Sequence, residues 1–184
     1  MSSAKPTVVI VCPDEFTFTD ESASVEQPIL DPAADVKTTN LAFNAPLPTE
    51  VLNADALILW HGPLTTAVEI ARMKHCRAII RNGVGFDSVD TEAAAAAGIP
   101  VCNVPDYGTE EVADHTLALT LALYRQLFPL DAEAKRLGWT ITTAPRMRRL
   151  RTQTFGLIGL GRIGMATALR AKAFGFRVAF YDPF

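Results

Sequence analysis

Several features that define special classes of protein are missing from this sequence. Its three cysteines, Cys12, Cys76 and Cys102, are odd in number and share no close spacing, which argues against a disulfide framework or a zinc site. No apolar run approaches the roughly 20 residues needed to cross a bilayer. The start of the chain also lacks the apolar core of a signal peptide. We therefore expect a cytoplasmic protein with no metal site and no membrane partner.

An excess of positive charge is missing as well. The 17 lysines and arginines are outnumbered by 20 acidic residues, and the formal net charge is −3. Nothing in this balance favours a nucleic acid or an anionic membrane as partner. Four arginines lie close together, and in an acidic chain they indicate a solvated face: Arg146, Arg148, Arg149 and Arg151.

What the sequence does contain is an alternation of apolar runs and helical segments. Strands are predicted over residues 7–12, 56–60, 78–80 and 101–104, with helices over 66–73 and 90–98 between them. This alternation predicts an α/β fold with a doubly wound parallel sheet. A long helix over 109–127 is apolar over much of its surface and is predicted to be largely buried between two domains. The domain boundary is therefore expected near Pro105.

The glycine-rich segment near the end of the chain predicts a dinucleotide site. A strand-like run ends in Gly159, Gly161 and Gly164, spaced G-x-G-x-x-G, and helix-forming residues continue from Arg162 to Phe174. The three glycines permit, in order, a tight turn, close approach of a pyrophosphate, and packing of the helix on the strand. Alternatively, the glycines serve packing alone.

A carboxylate follows at the position where such sites bind ribose. The predicted strand over 177–181 delivers Asp182, close to the roughly 20-residue offset at which an acid accepts hydrogen bonds from the ribose of NAD. Asp182 would also repel a 2′-phosphate, so NAD is expected in preference to NADP. The alternative for Asp182 is a solvated acid at a strand end.

Five segments of the chain carry a family resemblance: "SVEQPIL", "ALILWHGPLT", "RNGVGFDSVD", "GIPVCNVPDYGTEEVADHTLALTLALYRQ" and "GLIGLGRIGMATALRAKAFGFRVAFYDPF". Together they resemble the D-isomer-specific 2-hydroxyacid dehydrogenase family, and within it the branch that contains the C-terminal-binding proteins. The resemblance implies two doubly wound parallel-sheet domains, one flavodoxin-like and one Rossmann, with the active site between them.

The same resemblance implies a domain assignment. Residues 1–104 match a substrate domain without its C-terminal return segment, and residues 105–184 match the inter-domain helix and first βαβ unit of an NAD-binding domain. The second domain is thus expected to be truncated after its second strand. We expect the front half of a longer enzyme, which forms a homodimer when full length.

Residues of the substrate site also follow from the resemblance. It implies that the backbone N–H groups of Gly83, Val84 and Gly85 bind the substrate carboxylate, with Val84 beside the nicotinamide. Arg81 reaches the same carboxylate, and His61 lines the cleft. Read without the resemblance, the glycines indicate a tight turn, Arg81 a surface charge, and His61 a satisfied strand-end histidine.

Cofactor contacts follow in the same way. Val112 matches a residue that faces the nicotinamide, although a core position on the long helix is an equal alternative. The remaining matched positions contact the pyrophosphate and ribose of NAD: Gly159, Leu160, Gly161, Arg162, Ile163, Gly164 and Asp182.

No catalytic residue is expected in these 184 residues. Reduction of a 2-oxo acid needs a cation at the carbonyl and an acid to protonate the alkoxide. The family supplies an arginine, a glutamate and a histidine after the second nucleotide strand. His61, His75 and His115 do not match that histidine, and His115 is expected to form a buried hydrogen bond beside Asp114. We expect interconversion of a small D-2-hydroxy acid and its 2-oxo acid by the full-length protein alone. The alternative is an NAD-responsive, corepressor-like dimeric scaffold.

Overall fold

The computed structural model describes residues 4–13, 25–138 and 147–184, and its internal contacts divide the chain into two units. The first unit runs from Met1 to Pro105 and the second from Asp106 to Phe184. Each unit contains its own parallel sheet, of five strands in the first and two in the second. The predicted α/β class with parallel strands is therefore confirmed.

The described residues of the first unit form a five-stranded sheet and four short helices. Its strands are β1 (Thr7–Pro13), β2 (Asp35–Leu41), β3 (Ala56–Leu59), β4 (Ile79–Arg81) and β5 (Val101–Asn103). Its helices are α1 (Glu26–Leu30), α2 (Thr49–Leu52), α3 (Ala67–Arg72) and α4 (Thr91–Ala96). The strand order β2-β1-β3-β4-β5 is the order of flavodoxin-like folds, in which the direction of winding reverses between β1 and β3.

Alternation of side chains along the central strands builds a core on each face of this sheet. Val9, Val11, Leu57, Leu59 and Ile79 are buried on one face, where residues from α2, α3 and α4 cover them. Ile10 and Cys12 point to the other face. Two helices begin where polar side chains hold their first turn: the Thr66 N–H donates to Glu69 (3.1 Å), and Asp90 accepts from the Ala93 N–H (2.9 Å).

Strand β2 was not predicted from the sequence. It carries Lys37, Thr38 and Asn40 and is exposed or half-buried along its length, because it forms an edge of the sheet. An edge strand has one unpaired side and needs no continuous apolar run. The short helices α1 and α2 were likewise not predicted.

The described residues of the second unit form three helices and a two-stranded parallel sheet. After α5 (Thr109–Tyr124) and α6 (Leu127–Leu137) come a single 3₁₀ turn (Leu150–Thr152), β6 (Thr154–Ile158), α7 (Arg162–Ala173) and β7 (Arg177–Tyr181). Leu117, Ala171 and Phe176 form its buried centre. Tyr124 and Phe155 both meet the Phe176 ring edge-on, with ring centroids 5.5 Å apart.

The long helix α5 differs from expectation in length and in burial. It ends at Tyr124, since Gln126 has a left-handed backbone conformation (φ 56°) and a new helix begins at Leu127. Ala113, Leu117 and Ala122 are buried, whereas Leu119 and Leu123 are exposed. The expectation of a largely buried helix was therefore wrong, because only one side of α5 packs against α7.

Among the described residues, no helix is long and apolar enough to cross a membrane.

Candidate functional site

The predicted substrate residues of the first unit lie at the carboxyl ends of its strands. Leu59, Arg81 and Asn103 stand beside one another in register at the carboxyl ends of β3, β4 and β5. The loops that follow β3, β4 and β5 therefore begin next to one another. His61 follows β3 and is exposed there, next to the point where the winding reverses. Open α/β sheets bind ligands at this kind of position.

Arg81 is a buried cation, and none of the described residues is its counter-ion. Its side chain is only 8% exposed, and the guanidinium donates from Nη1 to the Asn82 carbonyl oxygen (2.7 Å). The buried Nε has no hydrogen-bond partner, and no acid in the described part of the chain forms an ion pair with this residue. Removing an arginine from water without a partner is unfavourable, so this position favours an anion from outside the chain.

Gly83 provides the space that the guanidinium occupies. A Cβ at residue 83 would lie 2.0 Å from Arg81 Nη1. The Gly83 N–H donates to the Arg81 carbonyl oxygen (2.8 Å) and is therefore already used. Three N–H groups, at residues 83–85, were expected to bind the substrate carboxylate. Gly83 cannot offer its N–H, because this bond already uses it; the glycine instead leaves space for the Arg81 side chain.

Two consecutive amides remain open in the loop after β4, which we call the β4 loop (residues 82–85). The N–H groups of Val84 and Gly85 find no acceptor among the described residues. Val84 is 41% exposed, and Gly85 is exposed as well. A pair of neighbouring N–H groups in a loop that follows a buried arginine can bind a carboxylate.

Three contacts that sequence reasoning missed hold the β4 loop in place. The Val104 N–H donates to the Gly83 oxygen (3.0 Å), and Asn103 Nδ2 donates to the Val84 oxygen (2.8 Å). Asn82 Nδ2 donates to Glu26 Oε1 of α1 (3.3 Å). The available signal was that Asn82 and Asn103 both stand at the ends of neighbouring predicted strands, where an amide side chain is free to bond loop carbonyls.

The glycine turn of the second unit (residues 159–161) connects β6 to α7. Gly159 has φ +90°, which side-chain-bearing residues rarely adopt. A Cβ at Gly164 would lie 2.4 Å from the Gly159 oxygen, so this glycine is required for packing of α7 on the turn. A Cβ at Gly161 would meet nothing within 4 Å, and its φ of −63° suits any residue. Packing therefore explains Gly164 but does not explain Gly161.

The first turn of α7 can accept an anion. Gly161 is the N-cap and has no side chain to bond the N–H groups that begin the helix. Such N–H groups and the helix dipole attract phosphate. The open surface over Gly161 and these donors together fit a dinucleotide pyrophosphate.

Asp182, at the end of β7, accepts a hydrogen bond from the glycine turn and stabilises it. Its Oδ2 accepts the Leu160 N–H (2.5 Å) and its Oδ1 accepts the Phe184 N–H (3.0 Å). These donors, Leu160 foremost, hold the pKa of the Asp182 carboxyl below its usual value. A carboxylate has about four lone-pair positions, so two remain for hydroxyl donors. The sequence predicted contacts of this residue with NAD or with solvent, and did not predict its hydrogen bond with the glycine turn.

The other residues considered from the sequence lie as follows. Val112 on α5 is 46% exposed, and Ile163 on α7 is partly exposed. His115 is exposed, while the Asp114 carboxylate accepts from Arg170 Nε (2.5 Å). The expectation that His115 forms a buried hydrogen bond was therefore wrong, because this side of α5 is exposed at His115. The neighbouring Asp114, together with Glu110, instead forms ion pairs with Arg170 on α7. Arg148, Arg149 and Arg151 are exposed, and Arg146 lies outside the described residues.

Comparison with known proteins finds a protein family whose model matches most of this chain. A model of the family described as "D-isomer specific 2-hydroxyacid dehydrogenase, catalytic domain" matches residues 16–174. The C-terminal-binding protein 1 of Caenorhabditis elegans is 33% identical across the whole chain, which covers 25% of that relative. The D-3-phosphoglycerate dehydrogenase of Methanocaldococcus jannaschii is 36% identical over 85% of the chain, which covers 30% of that relative.

Solved structures agree with this placement. The D-lactate dehydrogenase of Aquifex aeolicus, solved as a complex with NAD and lactic acid, superposes with a TM-score of 0.82 at 28% identity. The match includes 96% of this chain and 51% of that structure. The chain thus spans about half of the solved relative and less than a third of the curated ones.

We predict opposite structural roles for two glycines of the second unit. Gly164→Ala should lower the free energy of unfolding by about 1–3 kcal/mol, because its methyl group collides with the Gly159 backbone. Gly161→Ala should lower it by less than about 1 kcal/mol, since space is open and alanine is only a poorer N-cap. Urea unfolding followed by circular dichroism measures both values. Equal losses for the two variants would contradict the packing assignment.

We also predict that Asp182 stabilises the turn in a pH-dependent way. Its folded-state pKa is lowered, so the stabilisation is fully present above the ordinary aspartate pKa of about 3.9. It should decline as the pH falls below that value and vanish below the folded-state pKa. The measurement compares unfolding free energies of the native chain and Asp182→Asn between pH 7 and pH 2. Asp35→Asn, on the exposed edge strand, is the control, and a pH-independent difference for Asp182→Asn would contradict the assignment.

Proposed function

Because this chain belongs to the D-isomer specific 2-hydroxyacid dehydrogenase family, we propose that it carries the carboxylate site and half of the cofactor site of an NAD-dependent oxidoreductase. The reaction proposed for the whole protein interconverts a small D-2-hydroxy acid and its 2-oxo acid. Residues 1–104 serve as the substrate domain and residues 105–184 begin the NAD-binding domain. The whole protein is proposed to act as a homodimer.

The observation that carries the substrate proposal is the buried guanidinium of Arg81, which has no acidic partner among the described residues. A substrate carboxylate supplies the missing negative charge, and the Val84 and Gly85 amides donate to the same group. These donors bind the carboxylate in substrate and product alike, so they orient the reacting carbon and do not themselves transfer a proton. His61 lies at the same sheet edge and is assigned to the wall of the substrate site.

The glycine turn and Asp182 carry the cofactor proposal. Gly161 leaves room for the pyrophosphate, and the amides at the start of α7 donate to it, with Leu160, Arg162 and Ile163 alongside. Asp182 accepts ribose hydroxyls and disfavours a 2′-phosphate. Val84 and Val112 are assigned to the nicotinamide end. When bound, NAD supplies the hydride acceptor, and NADH supplies the donor.

Chemistry beyond binding is assigned to groups outside these residues. Reduction of a 2-oxo acid requires a proton donor and a cation at the carbonyl oxygen. In the proposal, an arginine, a glutamate and a histidine in further segments of the whole protein provide them.

A second candidate function is a dimeric scaffold whose assembly responds to NAD. The match to a C-terminal-binding protein along the whole chain favours it. Both candidates use the same cofactor turn, and only the dehydrogenase requires turnover. Oxidation of NADH by the full-length protein with pyruvate, glyoxylate or hydroxypyruvate separates the two candidates.

We predict that Arg81→Met weakens carboxylate binding without weakening the fold. Loss of a charge-assisted contact, at roughly 1.5–3 kcal/mol, should lower the affinity for oxamate about tenfold to a hundredfold in the NADH-bound full-length protein. The free energy of unfolding should stay level or rise, because an uncompensated buried charge is removed. Calorimetric titration and urea unfolding measure the two quantities. A variant that loses stability and keeps its oxamate affinity would refute the carboxylate assignment.

We further predict that Gly161→Ala weakens NAD binding while the protein stays folded. A methyl group at this position keeps the pyrophosphate from the backbone, and an affinity loss of about tenfold or more is expected for one or two lost phosphate hydrogen bonds. Gly156→Ala is the matched control, because it adds the same methyl to open space on β6. Fluorescence titration with NADH measures the affinities. Equal affinities for the two variants would refute the placement of the pyrophosphate.

A further inference from the structure

We propose that Asn103 is a positioning residue that aims the Val84 and Gly85 amides at the substrate carboxylate. This inference rests on the proposed function, because it assigns a role within the same site. Asn103 lies at the end of β5 and pairs in register with Arg81 of β4. Its side chain therefore starts directly beside the strand that leads into the β4 loop.

Two successive carbonyl groups of the β4 loop are held from β5. The Val104 N–H binds the Gly83 oxygen at 3.0 Å, and Asn103 Nδ2 binds the Val84 oxygen at 2.8 Å. Both carbonyls thus point toward the end of β5. The first contact is made by backbone and survives most substitutions, whereas the second depends on the residue type at position 103.

Because peptide units are planar, these two contacts also fix the directions of the Val84 and Gly85 N–H groups. In a planar trans peptide the N–H points opposite to the C=O of the same unit. Fixing the Gly83 carbonyl therefore fixes the Val84 N–H, and fixing the Val84 carbonyl fixes the Gly85 N–H. Because both carbonyls face β5, both N–H groups face away from β5, and no described residue accepts from them.

The amide side chain suits this position for a reason of charge. Asn103 donates to a carbonyl and adds no charge to a site that is to hold an anion. An aspartate of the same shape would oppose the Val84 oxygen with another acceptor and would repel the substrate carboxylate. The Val84–Gly85 peptide would then be released to rotate.

The test compares Asn103→Asp with Asn40→Asp in the full-length protein. Asn40 is exposed on β2, and β2 and β5 are the two outer strands on opposite sides of the sheet. Asn40→Asp therefore adds the same charge as Asn103→Asp, but away from the β4 loop. We expect Asn103→Asp to bind oxamate at least tenfold more weakly in the presence of NADH, with unchanged NADH affinity. Asn40→Asp should match the native protein. Asn103→Ala, which removes the donor without adding charge, should show a smaller loss in the same direction.

A second measurement reports on the amides without any ligand. With selective ¹⁵N labelling of glycine and valine, the Gly85 signal should shift or broaden in Asn103→Asp and Asn103→Ala but stay in place in Asn40→Asp. An unchanged Gly85 signal in both Asn103 variants, or native oxamate affinity in both, would overturn the role of Asn103. If the native protein itself fails to bind oxamate, the proposed function fails, and the Gly85 signal alone then decides the role of Asn103.

Discussion

Parallel pairing of β4 with β3 and β5 is the constraint on which the substrate site depends. The register places Leu59, Arg81 and Asn103 in one row at the carboxyl edge of the sheet. The Asn82 N–H then bonds the Leu59 oxygen (2.8 Å), and the end of β5 holds the two carbonyls that follow. A slip of one residue between β3 and β4 would turn Arg81 to the opposite face, and a slip between β4 and β5 would turn Asn103 away from the loop. The position of the cation and the direction of the loop amides thus follow from the same ladder of backbone hydrogen bonds.

The second unit depends on contacts between its turn and its strand ends. The Gly159 N–H bonds the Tyr181 oxygen (2.8 Å), and the Leu160 N–H bonds Asp182. The conformation of the glycine turn is therefore fixed by β7 before any phosphate arrives. Binding to a turn that is already ordered loses less conformational entropy than binding to a mobile one. The same acid can hold the turn and receive the ribose because a carboxylate accepts several hydrogen bonds.

The sequence predicted the apolar strands and the glycine turn well, because burial and backbone conformation dictate those residues directly. Strands β6 and β7 and helix α7 lie where the spacing put them, and Asp90 caps α4. Sequence-based prediction missed β2, whose polar residues suit an edge strand. It also predicted too much burial for α5, where leucines at 119 and 123 are exposed. The contacts of Asn103 with Val84 and of Asn82 with Glu26 join residues distant in sequence, and only the fold shows them.

Arg81 and Gly83 share one volume, since the guanidinium lies where a side chain at residue 83 would begin. Changes at these two positions are therefore not independent in their effects. While the arginine is present, a larger residue at position 83 requires the guanidinium to shift from its present position. Once the arginine is lost, the glycine is no longer required for space. The glycine thus influences an anion site to which its own N–H does not contribute, because the space it leaves determines where the charged end of a neighbouring side chain lies.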